Sequence, residues 1–159
     1  MLFFDALHVG RTLRRARRSD FQITIDMAFA EVIAACANVP RGDEVGTWIG
    51  PEIIAAYTKL HRAGDAHSVE VWNGSELVGG LYGVDAGGVF TGESMFHRAA
   101  NASKLALLHL VDHLRERGAT WLDCQVMTEH MRALGAREIG RAKFLDMLAA
   151  AQASGVKLF

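Results

Sequence analysis

Two segments, His67-Ser-Val-Glu-Val-Trp72 and Glu76-Leu-Val-Gly-Gly-Leu-Tyr-Gly-Val84, decide the fold of this 159-residue chain. Both segments are rich in β-branched, aromatic and other apolar residues, and Asn73-Gly74 between them is a strong signal for a tight hairpin. A third segment of this kind covers residues 89–94 and follows the turn sequence Asp85-Ala-Gly-Gly88. The sequence therefore predicts an antiparallel meander in the middle of the chain.

Two helices are predicted before the meander. Residues 21–25 alternate as a short strand, and Asp26 is placed to cap the first helix. After a predicted loop at residues 38–46, Pro51 begins the second helix, which is expected to end at Gly64. The apolar face of the first helix consists of Phe29, Val32, Ile33 and Cys36, and that of the second of Ile53, Ile54, Tyr57 and Leu60.

A long helix connects the meander to one more strand. We expect Asn101 to cap this helix and Gly118 to end it before a strand at residues 121–126. A crossover helix between strands implies parallel pairing. Shorter helices are predicted at residues 128–134 and 141–151. The inward residues are Leu107, Leu110, Val111 and Leu114 in the long helix, and Phe144, Leu145 and Leu148 in the last. These elements predict an α+β fold, a central mixed sheet flanked by helices, whose order resembles the GNAT acyltransferase fold.

The composition favours one domain over residues 1–159. Half of the residues are hydrophobic (50%), and only 2 are proline. The chain contains no apolar run of about 18 residues, and the N-terminus becomes acidic at Asp5, too early for a secretory signal. We therefore expect a cytoplasmic protein without a membrane partner. Cys36 and Cys124 lie in apolar patterns, which indicates buried thiols rather than a disulfide or a metal site.

The first 20 residues are strongly basic. Arginines occupy positions 11, 14, 15, 17 and 18, opposed only by Asp5 and Asp20, although the whole chain has a net charge of −1. If residues 9–18 are helical, Arg11, Arg14, Arg15 and Arg18 form one cationic stripe with Arg17 beside it. Such a stripe suits either a phosphate backbone or a merely solvated helix face, and the sequence leaves both interpretations open.

Polar residues mark a candidate site at two predicted strand ends. Glu93 is a lone carboxylate among apolar neighbours. In a strand at residues 121–126, alternation places Asp123 and Gln125 on one face and Cys124 on the other, which argues against a nucleophilic cysteine. His109 and His113 lie on the helix side away from the leucines, so we expect them to face solvent rather than bind a metal.

Six segments in order resemble the leucyl/phenylalanyl-tRNA–protein transferase family over roughly residues 6–150. They are Gly46-Thr-Trp-Ile49, Ala66-His-Ser-Val-Glu-Val-Trp72, Leu77-Val-Gly-Gly-Leu-Tyr-Gly-Val84, Gly92-Glu-Ser-Met-Phe96, Asn101-Ala-Ser-Lys104 and Asp123-Cys-Gln-Val126. The resemblance implies a GNAT-like catalytic domain that transfers Leu or Phe, and Met less well, from tRNA to the α-amine of proteins beginning with Arg or Lys. The product is marked for degradation by the N-end rule pathway. On this resemblance we expect the family's usual additional N-terminal domain to be absent.

The resemblance also implies roles for individual residues, without a metal or another cofactor. The catalytic residues would be Asp123, Gln125 and Glu93. The aminoacyl pocket would be formed by Leu81, Phe90, Gly92, Met95 and Leu107. The tRNA would contact Trp72, Arg11, Arg14, Arg15 and Arg18. The partners would be aminoacyl-tRNA and acceptor proteins rather than DNA, and we expect a monomer.

Two other functions remain open on the sequence. One is a descendant that binds tRNA or protein N-termini with weak or no turnover. The other is a CoA-dependent N-acetyltransferase of the same fold. The second is disfavoured because His97-Arg-Ala-Ala-Asn-Ala102 lacks the glycines of a pyrophosphate-binding loop.

Overall fold

A computed structural model describes residues 1–18, 20–39 and 47–159. Most of the loop predicted at residues 38–46 lies outside these ranges. The strands are β1 (Leu2–Phe3), β2 (Gln22–Ile25), β3 (Ala66–Asn73), β4 (Glu76–Asp85), β5 (Phe90–His97) and β6 (Trp121–Leu122). The helices are α1 (Arg11–Ala16), α2 (Phe29–Ala37), α3 (Pro51–Ala63), α4 (Ala102–Glu116), α5 (Glu129–Ala133) and α6 (Arg141–Ser154), with a 3₁₀ turn at Phe4–Ala6. The predicted α+β class is confirmed.

The predicted meander forms the main sheet. Within the described residues its strand order is β2-β3-β4-β5, and every neighbouring pair is antiparallel. A smaller antiparallel pair joins β1 to β6. The hairpin at Gly74 has the positive φ of 59° that its turn type requires. Thus the segments that defined the meander in the sequence also build its centre.

After α4 the chain returns to the main sheet, but among the described residues it pairs with β5 only at a single position. Thr91 and Asp123 form an isolated parallel bridge, in which Gly92 N donates to Asp123 O at 2.8 Å and Asp123 N donates to Phe90 O at 3.0 Å. The parallel pairing is therefore present, but the strand predicted at residues 121–126 is too long, because β6 ends at Leu122. Gln125 has a φ of 56°, which no strand permits.

The sheet lies between two helical layers. Leu81 packs with α4 in the larger core cluster, whereas its neighbour Tyr82 packs with α2 in the second cluster on the opposite face.

The predicted faces of α2 and α4 are all buried. Of the residues predicted to face inward on α6, Phe144 and Leu148 pack against a third cluster, whereas Leu145 is 46% exposed and was wrongly assigned. Met147 points inward instead.

Two predicted helix caps differ from the structure. Asp26 does not cap α2, whose N-cap residue is Ala28. Its carboxylate instead accepts a hydrogen bond from Ser68 N at 2.9 Å and lies 2.7 Å from His67 Nδ1, because the β2–β3 pairing continues to this residue. Asn101 does occupy the N-cap position of α4, but its side chain makes no capping hydrogen bond. None of the helices in the described ranges is long and apolar enough to cross a membrane.

Gly79 determines how closely α4 approaches the sheet. A Cβ atom added there would lie 2.5 Å from Ala102 Cβ and 3.0 Å from the Ala102 carbonyl carbon. The backbone cannot retract without moving α4, so we expect Gly79→Ala to lower the free energy of unfolding by about 1–3 kcal/mol. Gly140→Ala is the control, because a Cβ there would meet no atom of the described residues within 4 Å, and we expect it to cost less than about 1 kcal/mol. Equal urea midpoints for the two variants would contradict this account.

His113 does not face solvent as predicted. It is half-buried beneath the C-terminal segment, where its Nε2 donates to the Leu158 carbonyl at 2.8 Å and its ring contacts Phe159 at 4.8 Å between centroids. Burial lowers the pKa of His113, outweighing the opposing effect of the Leu158 hydrogen bond; the charges of Arg117 and His109 lower it further, whereas Glu116 raises it. His109 is half-buried as well.

This burial predicts a loss of stability in mild acid. As the pH falls below about 6.5, the unfolded chain protonates His113 while the folded chain still resists protonation, so the unfolded state is stabilised relative to the folded one. We expect urea unfolding at pH 5.5 to show lower stability than at pH 7.5, with His113 contributing less than about 1 kcal/mol because it keeps contact with solvent. His113→Gln should reduce this difference, and an identical pH dependence in that variant would refute the assignment.

Candidate active site

A cavity of about 430 Å³ opens where β4 and β5 meet α4 and α5. Its wall is mostly apolar, and it contains all the residues predicted for the aminoacyl pocket: Leu81, Phe90, Gly92, Met95 and Leu107. Leu81, Phe90 and Leu107 are buried, whereas Met95 is partly exposed toward the cavity. The structure thus brings these five residues together around one apolar space with polar groups at its edge, as is typical of small-ligand sites.

Glu93 reaches the cavity because of a bulge in β5. Tyr82 pairs with Ser94 and Gly83 pairs with Gly92, so Glu93 is the extra residue on its strand. A bulge of this kind re-aims a side chain relative to the regular pleat. Glu93 lines the cavity and is half-buried there. The sequence predicted a site at this carboxylate, but not the bulge that orients it.

Tyr57 on α3 supports this carboxylate and was missed in the sequence analysis. Burial, followed by the charge of Glu93 and the hydrogen bond between the two side chains, raises the pKa of the Tyr57 hydroxyl to about 12. A phenol with so high a pKa stays protonated and donates its hydrogen bond to Glu93. The helical pattern had assigned Tyr57 only to an apolar face, and its spacing gave no signal for this polar contact.

Asp123 and Gln125 form a tight turn immediately after the parallel bridge. Asp123 Oδ1 accepts a hydrogen bond from Gln125 N at 2.9 Å, and Gln125 Nε2 donates to Gly92 O at 3.2 Å. Gln125 lines the cavity, whereas Asp123 is not among the described residues that line it. Asp123 therefore supports the turn, and Gln125 presents its side chain to the cavity rim.

The family profile described as leucyl/phenylalanyl-tRNA protein transferase matches residues 1–149. The chain belongs to this family. It is 55% identical over 149 residues to the leucyl/phenylalanyl-tRNA–protein transferase of Chromohalobacter salexigens, covering 93% of this chain and 58% of that protein. It is 53% identical over 150 residues to that of Syntrophobacter fumaroxidans, covering 94% of this chain and 64% of the relative. The transferase of Chromobacterium violaceum is 52% identical over 149 residues, with 93% and 64% covered.

These matches confirm the family resemblance inferred from the sequence motifs. The chain spans about three-fifths of the length of these transferases.

Cys124 lies closer to the candidate active site than the sequence predicted. It lines the cavity together with Gln125, because the strand ends before it and alternation no longer applies. Burial nevertheless raises the pKa of the Cys124 thiol, although the charge and hydrogen bond of the N-terminal amine oppose this effect. A thiol with a raised pKa is a poor nucleophile at neutral pH. Cys36 is buried, as its apolar pattern predicted, whereas Cys124 is half-buried.

The tryptophan at the cavity is Trp48, not Trp72. Trp72 Nε1 donates to Thr24 Oγ1 at 2.8 Å, and its ring packs against the second core cluster, away from the cavity. Trp48 lines the cavity and is 45% exposed. The segment Gly46-Thr-Trp-Ile49 that carried the family resemblance contains Trp48, but no local pattern indicated which of the tryptophans would reach the site.

The arginine-rich helix of this family member is shorter than predicted. α1 covers Arg11–Ala16, so Arg18 lies beyond its end and only Arg11, Arg14 and Arg15 share the helix surface. Arg17 is paired with Asp112 of α4. In the part of the chain that the structure describes, no ion-pair partner is present for the exposed residues Arg11, Arg14, Arg15 and Arg18. The described residues also contain no cluster of three His, Cys, Asp or Glu side chains that would suit a metal ion.

Proposed function

We propose that this chain carries the catalytic region of an aminoacyl-tRNA–protein transferase. Its reaction moves Leu or Phe, and Met less well, from tRNA to the α-amine of a protein that begins with Arg or Lys. The observation that carries this proposal is the apolar cavity with Glu93 and Gln125 at its rim. An apolar pocket suits the aminoacyl side chain, and the polar rim suits the amine that attacks the ester carbonyl. The proposal includes a GNAT-like fold, a monomeric state and a cytoplasmic role in N-end rule degradation.

In the proposed reaction, the acceptor amine attacks an ester that is already activated. The new N–C bond forms as the C–O bond to the ribose breaks, and the amine loses a proton while the ribose oxygen gains one. The enzyme has to hold a neutral amine near the ester carbonyl. Gln125 is oriented for this task, because its Nε2 donates to Gly92 O and its Oε1 is left to accept from the amine.

Asp123 acts on this amine through Gln125. Its carboxylate accepts the Gln125 N–H, which holds that residue at a φ of 56°. This backbone conformation is unfavourable for a glutamine and needs support from its surroundings. The negative charge of Asp123 also polarises the Gln125 backbone N–H that it accepts.

We assign recognition of the acceptor to Glu93. A carboxylate at the rim pairs with the cationic side chain of an N-terminal Arg or Lys, and the Tyr57 hydrogen bond fixes its position. The aminoacyl side chain occupies the apolar part of the cavity, where Met95 can adapt to different shapes. A single apolar pocket discriminates only modestly between Leu, Phe and Met.

We assign stacking on the terminal adenine to Trp48 rather than to Trp72, because the Trp48 ring is exposed at the cavity. The arginines of α1 would contact the acceptor stem through phosphates, which carry no sequence information. Several tRNAs with the right amino acid would then be accepted.

The arginines of α1 predict a change in salt dependence. Arg14→Ala combined with Arg15→Ala should weaken binding of Phe-tRNA and flatten the plot of log affinity against log salt by roughly 0.7–0.9 for each phosphate that is no longer neutralised. Filter binding between 50 and 200 mM salt, about the range over which such effects are resolved, measures this slope. Arg17→Ala is the matched control, because Asp112 already neutralises Arg17. An unchanged slope in the double variant would remove α1 from the RNA-binding surface.

The transfer reaction itself is tested with Phe-tRNA carrying labelled Phe and a peptide that begins with Arg. We expect label in the peptide, and none when the peptide's α-amine is acetylated. Binding of Phe-tRNA without labelled peptide would favour the binding-only descendant. Heat on mixing with acetyl-CoA in calorimetry, without transfer of Phe, would favour the acetyltransferase.

A further inference from the structure

A second cavity of about 390 Å³ lies next to the aminoacyl cavity and shares one wall residue with it. This residue is His130 of α5, which lines both spaces. The second cavity extends from His130 between α1 and the start of α4, where it is lined by His8, Arg11, Asn101 and Lys104. A ligand that passes His130 would therefore occupy both cavities at once.

The two cavities differ in chemical character. The first is mostly apolar, whereas the described residues around the second include the cations Arg11 and Lys104 and no carboxylate. Neither cation has an ion-pair partner among residues 1–18, 20–39 and 47–159. The first turn of α4 also borders this space, and no side chain in the described part of the chain caps it. Unpaired cations beside an uncapped helix start favour an anion.

His130 borders this positively charged space, and one of its ring nitrogens has no hydrogen-bond partner among the described residues. This atom, Nε2, is buried. Burial lowers the pKa of His130, and the positive charges of Lys104 and His97 lower it further. The ring is thus held neutral, and a neutral imidazole has both a donor and an acceptor to offer a polar ligand. Buried polar groups of this kind usually have a partner.

We propose that the second cavity holds the phosphodiester backbone of the RNA 3′ end, with Lys104 and Arg11 contacting its phosphates and His130 lying beside the terminal ribose. This inference rests on the proposed function, because the aminoacyl group must occupy the first cavity. It adds a path for the RNA 3′ end. The aminoacyl side chain lies in the first cavity, the ribose lies at His130, and the phosphates lie between α1 and α4. Lys104 and His130 become binding residues in addition to the arginines of α1.

The test uses two stable donor analogues. The first is adenosine with phenylalanine joined through a 3′ amide, which has no phosphate. The second is the same analogue extended to a CCA trinucleotide, which adds phosphodiesters. We expect the wild-type protein to bind the trinucleotide more tightly. Lys104→Ala should lower its affinity by about tenfold and reduce its log–log salt slope by about 0.7, while the affinity for the adenosine analogue stays unchanged.

Control variants separate this effect from misfolding. Lys104→Arg keeps the charge and should retain most of the trinucleotide affinity. Lys143→Ala removes an exposed cation of α6, away from both cavities, and should change neither probe. If the wild-type protein binds both probes equally, or if Lys104→Ala leaves trinucleotide binding unchanged, the second cavity is not the RNA path, although the proposed function stands. If the wild-type protein binds neither probe, the proposed function fails, and this inference fails with it.

Discussion

Replacing Asp123 with alanine is expected to lower the turnover rate by about 100-fold or more while leaving the affinity for aminoacyl-tRNA intact. The variant removes the acceptor for Gln125 N, which lies 2.9 Å from Asp123 Oδ1. Without it, the turn that holds Gln125 at a φ of 56° loses its support, and the side chain no longer presents a fixed acceptor to the amine. Single-turnover transfer to an Arg-initial peptide measures the rate, and filter binding measures the affinity.

Asp123→Asn separates geometry from charge. Asparagine keeps an oxygen that accepts the Gln125 N–H, so the turn should persist. The negative charge beside the Gln125 backbone N–H is removed. We expect a decrease of about tenfold, smaller than that of the alanine variant. If both variants lose aminoacyl-tRNA binding, Asp123 has a structural role only. If Asp123→Ala transfers at the wild-type rate, the turn is irrelevant to catalysis.

Glu93→Gln is expected to cause the second large effect, on acceptor recognition. Removing one partner of a partly desolvated ion pair costs about 2 kcal/mol or more, which is about 30-fold in kcat/KM for peptides that begin with Arg or Lys. The affinity for the donor analogue should not change, because the apolar wall is untouched. A peptide that begins with a neutral residue is the reference, since its kcat/KM contains no such ion pair. An equal loss for charged and neutral acceptors would contradict this role.

Tyr57→Phe tests how Glu93 is held in place. Loss of the hydrogen bond to this carboxylate should reduce kcat/KM for Arg-initial peptides by about tenfold. In the Glu93→Gln background, the same change should have little further effect, because the two side chains act as one unit. Additive losses would show that Tyr57 acts independently of Glu93.

The sheet and α4 could be predicted from the sequence because their signals are local. The turn signal at Asn73-Gly74, the alternation of the strands around it and the spacing of leucines in α4 each lie within a short window. The elements that these signals predict depend little on the rest of the chain. The same holds for Gly64, whose φ of 85° ends α3 as expected.

The details of the site depend on contacts between distant segments. The end of β6 at Leu122 and the conformation of Gln125 arise from the bridge between Thr91 and Asp123, which no local pattern encodes. A glutamine with positive φ is uncommon, so sequence alone would not suggest it. The bulge at Glu93 similarly depends on how β5 pairs with β4.

Side-chain partners were the least predictable part. Trp48 and Trp72 are both aromatic residues in motifs that carry the family resemblance, and only the folded structure shows which one reaches the cavity. His113 was expected to face solvent because its helix position is opposite the leucine face. The C-terminal segment covers that side of α4, 45 residues further along the chain.

The most direct test of the account is mass spectrometry of an Arg-initial peptide after incubation with this protein and, in separate reactions, Leu-, Phe- and Met-charged tRNA. We expect the peptide to gain the mass of one Leu or one Phe residue, with a smaller yield for Met. An identical peptide with a blocked α-amine should gain nothing. An unchanged peptide mass with all of these donors, under conditions in which the tRNA stays charged, would contradict the proposal that this cavity performs aminoacyl transfer.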